Sequence, residues 1–123
     1  MGMDRKTVLI VDNENGIRDL LGMSLAGAGY NPVLCEDGKH AILYISNADL
    51  IITDFSMPGG MNGAELTKIA KREKPGMPVI IMTGTPLEIP SDHLADQVIE
   101  KPFKFEQLRE AVANLLQKGG CHG

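Results

Sequence analysis

The sequence predicts an α/β fold, a doubly wound parallel sheet whose strands alternate with helices that cover both faces. Two observations carry this prediction. Short β-branched runs recur along the chain and stop abruptly at a polar residue, as Thr7-Val8-Leu9-Ile10-Val11 stops at Asp12. Unbroken apolar runs of this kind suit strands buried on both faces, as in parallel sheets. Between the runs, apolar residues recur at helical spacing, and strand–helix alternation builds a parallel sheet with helices on each side.

The elements follow in chain order. After the first run, Ile17, Leu20, Leu21, Leu25 and Ala28 share one helical face, and Gly29 stands where a C-terminal cap belongs. Asn31 to Cys35 is a weaker strand candidate. Ala41, Ile42 and Ile45 form a short helical stripe, with Asp37 placed to cap its start. Asp49-Leu50-Ile51-Ile52-Thr53 is the second strong strand and ends at Asp54. Asn62 and Glu65 have capping-box spacing ahead of Leu66, Ile69 and Ala70. Pro78-Val79-Ile80-Ile81-Met82 ends at Thr83, and Gln97 to Glu100 is a second weak strand. Phe105, Leu108, Val112, Leu115 and Leu116 mark the last helix. Pro86 and Pro90 break any long helix between Gly84 and Asp96, so at most one short helical turn is expected there, near Ser91 to Ala95.

The chain has 123 residues, of which 43% are hydrophobic and 23% charged. This is one domain's worth of chain, large enough to bury roughly two thirds of its unfolded surface without disulfide or metal staples. Residues 1–123 are expected to form that single domain, with a core over 6–118 and a flexible tail over 119–123. A net charge of -4 gives no positive field for a nucleic-acid backbone, so no nucleic-acid partner is expected. No apolar run approaches the ~18 residues of a membrane span, and Met1 to Lys6 has no signal-peptide h-region, so a cytoplasmic protein with no membrane contact is expected. Cys35 and Cys121 are expected to be unpaired thiols. His40 and His93 lack companions at ligand spacing in the sequence, and the charged stretch Lys68 to Lys74 reads as a solvated helix face.

In open α/β sheets, ligands bind beyond the carboxyl ends of the strands. Those ends carry Asp12-Asn13-Glu14, Asp54, Thr83-Gly84-Thr85 and Lys101-Pro102. Clustered carboxylates repel one another unless a divalent cation sits among them, and oxygen-rich sets favour Mg²⁺. An ammonium and a hydroxyl supply donors for phosphoryl oxygens, and a carboxylate can itself be the nucleophile, yielding an acyl phosphate. The pattern reads as phosphoryl transfer onto an aspartate.

Four fragments at these positions carry a family resemblance: Val8-Leu9-Ile10-Val11-Asp12, the run from Asp49 through Asp54 to Met57-Pro58-Gly59-Gly60-Met61-Asn62-Gly63, Val79-Ile80-Ile81-Met82-Thr83-Gly84, and Glu100-Lys101-Pro102-Phe103. In this order and spacing the chain resembles the bacterial two-component response-regulator receiver domain, similar to chemotaxis-type single-domain regulators, over residues 6 to 118. The resemblance implies a five-stranded, flavodoxin-like sheet. It implies Asp54 as phosphoacceptor, Thr83 as the hydroxyl that moves to the phosphoryl group, and Lys101 as its ion partner. It implies a Mg²⁺ site (or another divalent cation such as Mn²⁺) made by Asp12, Asn13, Asp54 and the carbonyl of Ser56, and a cis peptide before Pro102. The implied partners are a sensor histidine kinase or His-phosphotransfer protein and a downstream protein target. The domain itself would be a non-enzymatic signalling protein, a monomer or weak homodimer.

Three departures from the family pattern stand out. Asn13 replaces the usual second acid. Val98, three residues before Lys101, has no ring to serve as the inward-turning aromatic of many relatives. The stretch from Thr83 to Lys101 is short, so the fourth helix, between the fourth and fifth strands, is expected to be shortened or irregular. No output segment follows residue 118, which fits either a stand-alone regulator or a receiver from a larger protein such as a hybrid kinase. Asn13 and Val98 keep open an alternative function, a receiver-fold interaction module that works without phosphorylation. A nucleotide- or flavin-binding enzyme is disfavoured, because neither G-x-G-x-x-G nor G-x-x-x-x-G-K-[ST] occurs.

Overall fold

The three strong apolar runs form the centre of the sheet and the two weak ones its edges. The computed structural model describes residues 5–121, with side chains to residue 117. Strands β1 (Thr7–Val11), β2 (Asn31–Cys35), β3 (Leu50–Asp54), β4 (Val79–Thr83) and β5 (Gln97–Glu100) are parallel, in the order β2-β1-β3-β4-β5. All residues of β3 and β4 are buried, whereas β2 and β5 each expose residues. A run that is apolar on both faces can only be satisfied between other strands and under two helical layers.

Helices α1 (Asn15–Gly27), α2 (Gly38–Ile42), α3 (Gly63–Glu73) and α4 (Phe105–Cys121) supply those layers. Val8, Ile10, Ile52, Ile80 and Met82 meet Leu21 and Leu25 of α1 and Leu108 and Val112 of α4. Leu9, Val11, Ile51 and Ile81 meet Ala41 and Ile45 on one side and Leu66 and Ala70 of α3 on the other. Adjacent residues of each strand thus serve opposite layers, and each fully buried Leu or Ile contributes about 1.5–3 kcal/mol.

The helix ends follow the expected chemistry. The Asp37 side chain accepts from the His40 backbone N–H at 2.9 Å, and Asn62 and Glu65 form a reciprocal capping box. Gly29 has φ +100°, a left-handed conformation that favours glycine just past a helix end.

Two expectations need correction. The short turn between β4 and β5 is a 3₁₀ turn at Pro86–Glu88, not a turn near Ser91 to Ala95. Pro86 opens it because its fixed φ suits a first helical position, and Glu88 N and Ile89 N close it on Thr85 O and Pro86 O. Helix α4 runs through Cys121, since glycine weakens a helix without removing the donor that proline removes; residues 122–123 lie outside the described residues. The charged face of α3 is only partly solvated: Lys74 Nζ donates to the carbonyls of Ser46 and Ala48, and Lys71 Nζ meets Asp96 Oδ2 at 2.7 Å.

At the sheet edge, Asn31 N donates to Lys6 O and Asp12 N donates to Cys35 O. Parallel strands alternate bonded and outward-facing residues, so Pro32 and Leu34 turn their backbones away from β1.

Cys35 is an unpaired, buried thiol at the end of β2. Burial, with help from Asp37 and against Arg18, pushes its pKa up from 9.0 to about 11. The thiolate is the reactive species, so a shift of that size leaves roughly a hundredfold less of it at pH 8. Cys35 should therefore alkylate at least that much more slowly in the folded than in the denatured protein, as read by peptide mapping after iodoacetamide. Equal rates would show that β2 opens readily.

Candidate functional site

The register of the sheet gathers the polar strand ends on one rim. Val11 pairs with both Cys35 and Thr53, Asp54 pairs with Met82, and Thr83 with Glu100. The residues that end β1, β3, β4 and β5 therefore lie side by side. Asp12, Asp54 and Thr83 are all buried there, Asp12 completely and Asp54 to 8% exposure.

Lys101 reaches in from the end of β5. Its Nζ lies 3.2 Å from Asp54 Oδ1 and 3.9 Å from Asp12 Oδ2. The peptide between Lys101 and Pro102 is cis. Asp12 divides its two oxygens: Oδ1 accepts from Glu14 N at 2.9 Å, while Oδ2 is buried with no hydrogen-bond partner. Burial holds the Asp54 carboxyl above the usual carboxylate range; Lys101 opposes that shift and Asp12 adds to it.

Of the residues singled out in the sequence, the structure brings Asp12, Asp54 and Lys101 into direct ionic contact. Thr83 stands at the next strand end, and its Oγ1 accepts from Thr85 N at 2.9 Å. Asn13 and Ser56 are exposed in the loops that follow β1 and β3. Glu14 lies in the N-cap position of α1 and makes no capping bond with its side chain. It lines an open groove of about 410 Å³ with Ile17, Lys101, Phe103 and Phe105.

Three contributors escaped the sequence reading. Arg18 Nη1 donates to Asp12 O at 2.7 Å and clamps the first loop, a role that no local pattern marks. Gly63 packs against the backbone of Asp54 and Phe55; it closes the glycine-bearing loop noted in the sequence, which was the available signal. Thr85 touches Thr83, and its place in Thr83-Gly84-Thr85 is the visible hint. His40, read as isolated, lies with Glu36 and Asp37 within metal-ligand reach, but that grouping is the start of α2, where His40 Nδ1 meets Asp37 Oδ1 at 2.8 Å.

A doubly wound sheet of order 2-1-3-4-5, with buried carboxylates and a lysine on its carboxyl rim, defines a flavodoxin-like α/β domain whose chemistry sits at the strand ends. The chain belongs to the response regulator receiver domain family, whose model matches residues 8–113. Among solved structures it is similar to a CheY-like response regulator receiver domain protein from Methanospirillum hungatei, with a TM-score of 0.87 and 27% identity over 98% of this chain and 100% of that one. It is also similar to the response regulator TrrA from Thermotoga maritima, solved in complex with Mg(2+)-BeF, with a TM-score of 0.79 and 33% identity over 89% of this chain and 98% of that one. A curated relative, the phosphate regulon transcriptional regulatory protein PhoB of Pseudomonas aeruginosa, is 32% identical over 94% of this chain and 53% of its own length. The chain spans about half or less of the length of curated relatives it matches. No helix among the described residues is long and apolar enough to cross a membrane.

Proposed function

We propose that this receiver domain accepts a phosphoryl group on Asp54 from the phosphohistidine of a sensor histidine kinase or His-phosphotransfer protein, and passes the resulting change to a downstream protein. The observation that carries this reading is the buried Asp54 carboxylate, held 3.2 Å from Lys101 Nζ beside an unpartnered Asp12 oxygen.

A carboxylate oxygen of Asp54 attacks phosphorus, the bond from phosphorus to the histidine nitrogen breaks, and the imidazole leaves. Lys101 turns from the carboxylate to the phosphoryl oxygens, and the Thr83 hydroxyl supplies a further donor. Water attack on the acyl phosphate later restores Asp54. The donor set fits a divalent cation, because Asp12 Oδ2 is a buried acceptor with no hydrogen-bond partner among the described residues, its nearest cation being Lys101 Nζ at 3.9 Å. Asp12, Asp54, Asn13 and the Ser56 carbonyl would hold Mg²⁺ or Mn²⁺, which when bound neutralises charge on the phosphoryl oxygens. The likeness to TrrA, solved with Mg(2+)-BeF, supports this choice of cation. In this reading the domain is cytoplasmic, is a monomer or weak homodimer, does not itself contact nucleic acid, and catalyses nothing beyond its own phosphorylation and dephosphorylation.

Acetyl phosphate with Mg²⁺, followed by intact mass measurement, tests the proposal: the protein should gain one phosphoryl mass. No gain would favour the phosphorylation-independent interaction module.

Asn13 sets the strength of the cation site in this reading. An amide oxygen ligates without charge, and one carboxylate facing a divalent cation at ~4 Å and an effective dielectric near 20 is worth about 8 kcal/mol before desolvation and its repulsion from Asp54 are subtracted. Asn13→Asp should therefore bind Mg²⁺ several-fold more tightly in titration and phosphorylate at lower Mg²⁺. Equal or weaker binding would remove Asn13 from the metal.

A further inference from the structure

The hydroxyl of Thr83 is already engaged. Thr83 Oγ1 accepts from Thr85 N at 2.9 Å and lies 3.3 Å from Thr85 Oγ1, which donates to Glu88 Oε1 at 3.3 Å. When both 3.3 Å contacts are made as hydrogen bonds, donor counting sets their direction. A carboxylate only accepts, so the single O–H of Thr85 goes to Glu88. The proton between the two threonine oxygens must then come from Thr83. The one proton that Thr83 could offer a phosphoryl oxygen is committed to Thr85.

We infer that Thr85 and Glu88 form a latch that holds the Thr83 hydroxyl in its resting place, and that opening this latch is the first movement after Asp54 is modified. The inference rests on Asp54 as phosphoacceptor. Thr83 cannot donate to a phosphoryl group and to Thr85 at once, so its turn toward Asp54 frees Thr85 and weakens the hold on Glu88. The pair spans the 3₁₀ turn Pro86–Glu88, which stands where a packed helix would otherwise separate β4 from β5. The turn has no buried residue and carries Leu87 at 99% exposure, so little packing resists its displacement and an apolar side chain moves with it. With valine at position 98, half-buried against the core, the latch takes the part of the aromatic swing.

Beryllofluoride with Mg²⁺ is the probe, and amide exchange by NMR together with a titration is the readout. In the wild type, the Thr85 amide should lose protection on binding, because its acceptor is Thr83 Oγ1. Thr85→Val removes the hydroxyl and keeps the side-chain shape at an exposed position. It should bind beryllofluoride about two- to tenfold more tightly, the worth of one hydrogen bond no longer broken, and Thr85→Ser should return the affinity to that of wild type. Equal or weaker binding by Thr85→Val, or a Thr85 amide that stays protected while signals around Asp54 shift, would overturn the latch alone. No shift around Asp54 in the wild type would overturn the phosphoacceptor reading, and the latch with it.

Discussion

Asp54→Asn should gain no phosphoryl mass from acetyl phosphate and Mg²⁺, and in metal-free buffer near pH 7 it should melt higher than the wild type. The first result follows from position. Asp54 is the buried carboxylate of the described rim that lies nearest Lys101, at 3.2 Å, and it ends β3, the middle strand of the sheet. Asp12 is the other buried carboxylate there, but its Oδ1 is tied to the loop by Glu14 N and it lies farther from Lys101. The second result follows from linkage. Burial raises the Asp54 pKa above its unfolded value, so the native state holds the proton more tightly. The stability this gives is present below the unfolded pKa and is lost as pH rises through the folded one. At neutral pH the ionised carboxylate is a net cost, and the amide avoids it, so the variant melts higher. Calorimetry and intact mass read the two effects. A lower Tm in the variant would mean that pairing with Lys101 outweighs burial, and a phosphoryl gain in it would remove Asp54 from its proposed role.

The second large effect is expected at Gly63. A Cβ there would stand 2.6 Å from the Asp54 carbonyl oxygen and 3.0 Å from Phe55 Cα, both main-chain atoms that cannot turn aside. The Gly63 N–H also donates to Phe55 O at 2.7 Å, so helix and strand end are already pulled together. Gly63→Ala must push the start of α3 away from β3 or shift the backbone that carries Asp54. Overpacking of this kind costs about 1–3 kcal/mol, and a reacting group displaced by ~1 Å can lose on the order of a hundredfold in rate. Thermal melting and the rate of phosphorylation by acetyl phosphate measure the two consequences. Gly84→Ala is the control: nothing lies within 4 Å of a Cβ there, and its melting temperature should stay within a degree or two of wild type. A Gly63→Ala protein that matched the control in both would show that the α3 start yields freely.

The sheet was legible because its signals are local. β1, β3 and β4 announce themselves as unbroken apolar runs, and the same purity that marks them as strands dictates their central places. The cap of α2 and the capping box of α3 could be read because a cap bonds three residues away. The rim residues were legible as strand ends, since a parallel sheet brings its carboxyl ends together whatever the order of strands. What the sequence did not disclose depends on contacts between distant segments. Lys71 and Lys74 looked solvated because Asp96, Ser46 and Ala48 are far away in the chain. Between Gly84 and Asp96 no apolar stripe marks a turn, and the one that forms is set by Pro86 and the Thr83–Thr85 contact. The orphaned oxygen of Asp12 is visible only once Glu14 has claimed the other one.

Pro32 has a bearing on how this protein behaves in a crowded solution. The outer side of β2 is an unpaired strand edge, and such an edge invites a stranger's backbone to add on and start a growing stack. In the five residues of β2, only positions 32 and 34 face outward, and a proline at the first has no N–H to offer. An incoming strand would find one donor where it needs two and would meet a rigid ring at the other position. The remaining contact is too short to register a second chain, so the sheet ends where the fold ends it.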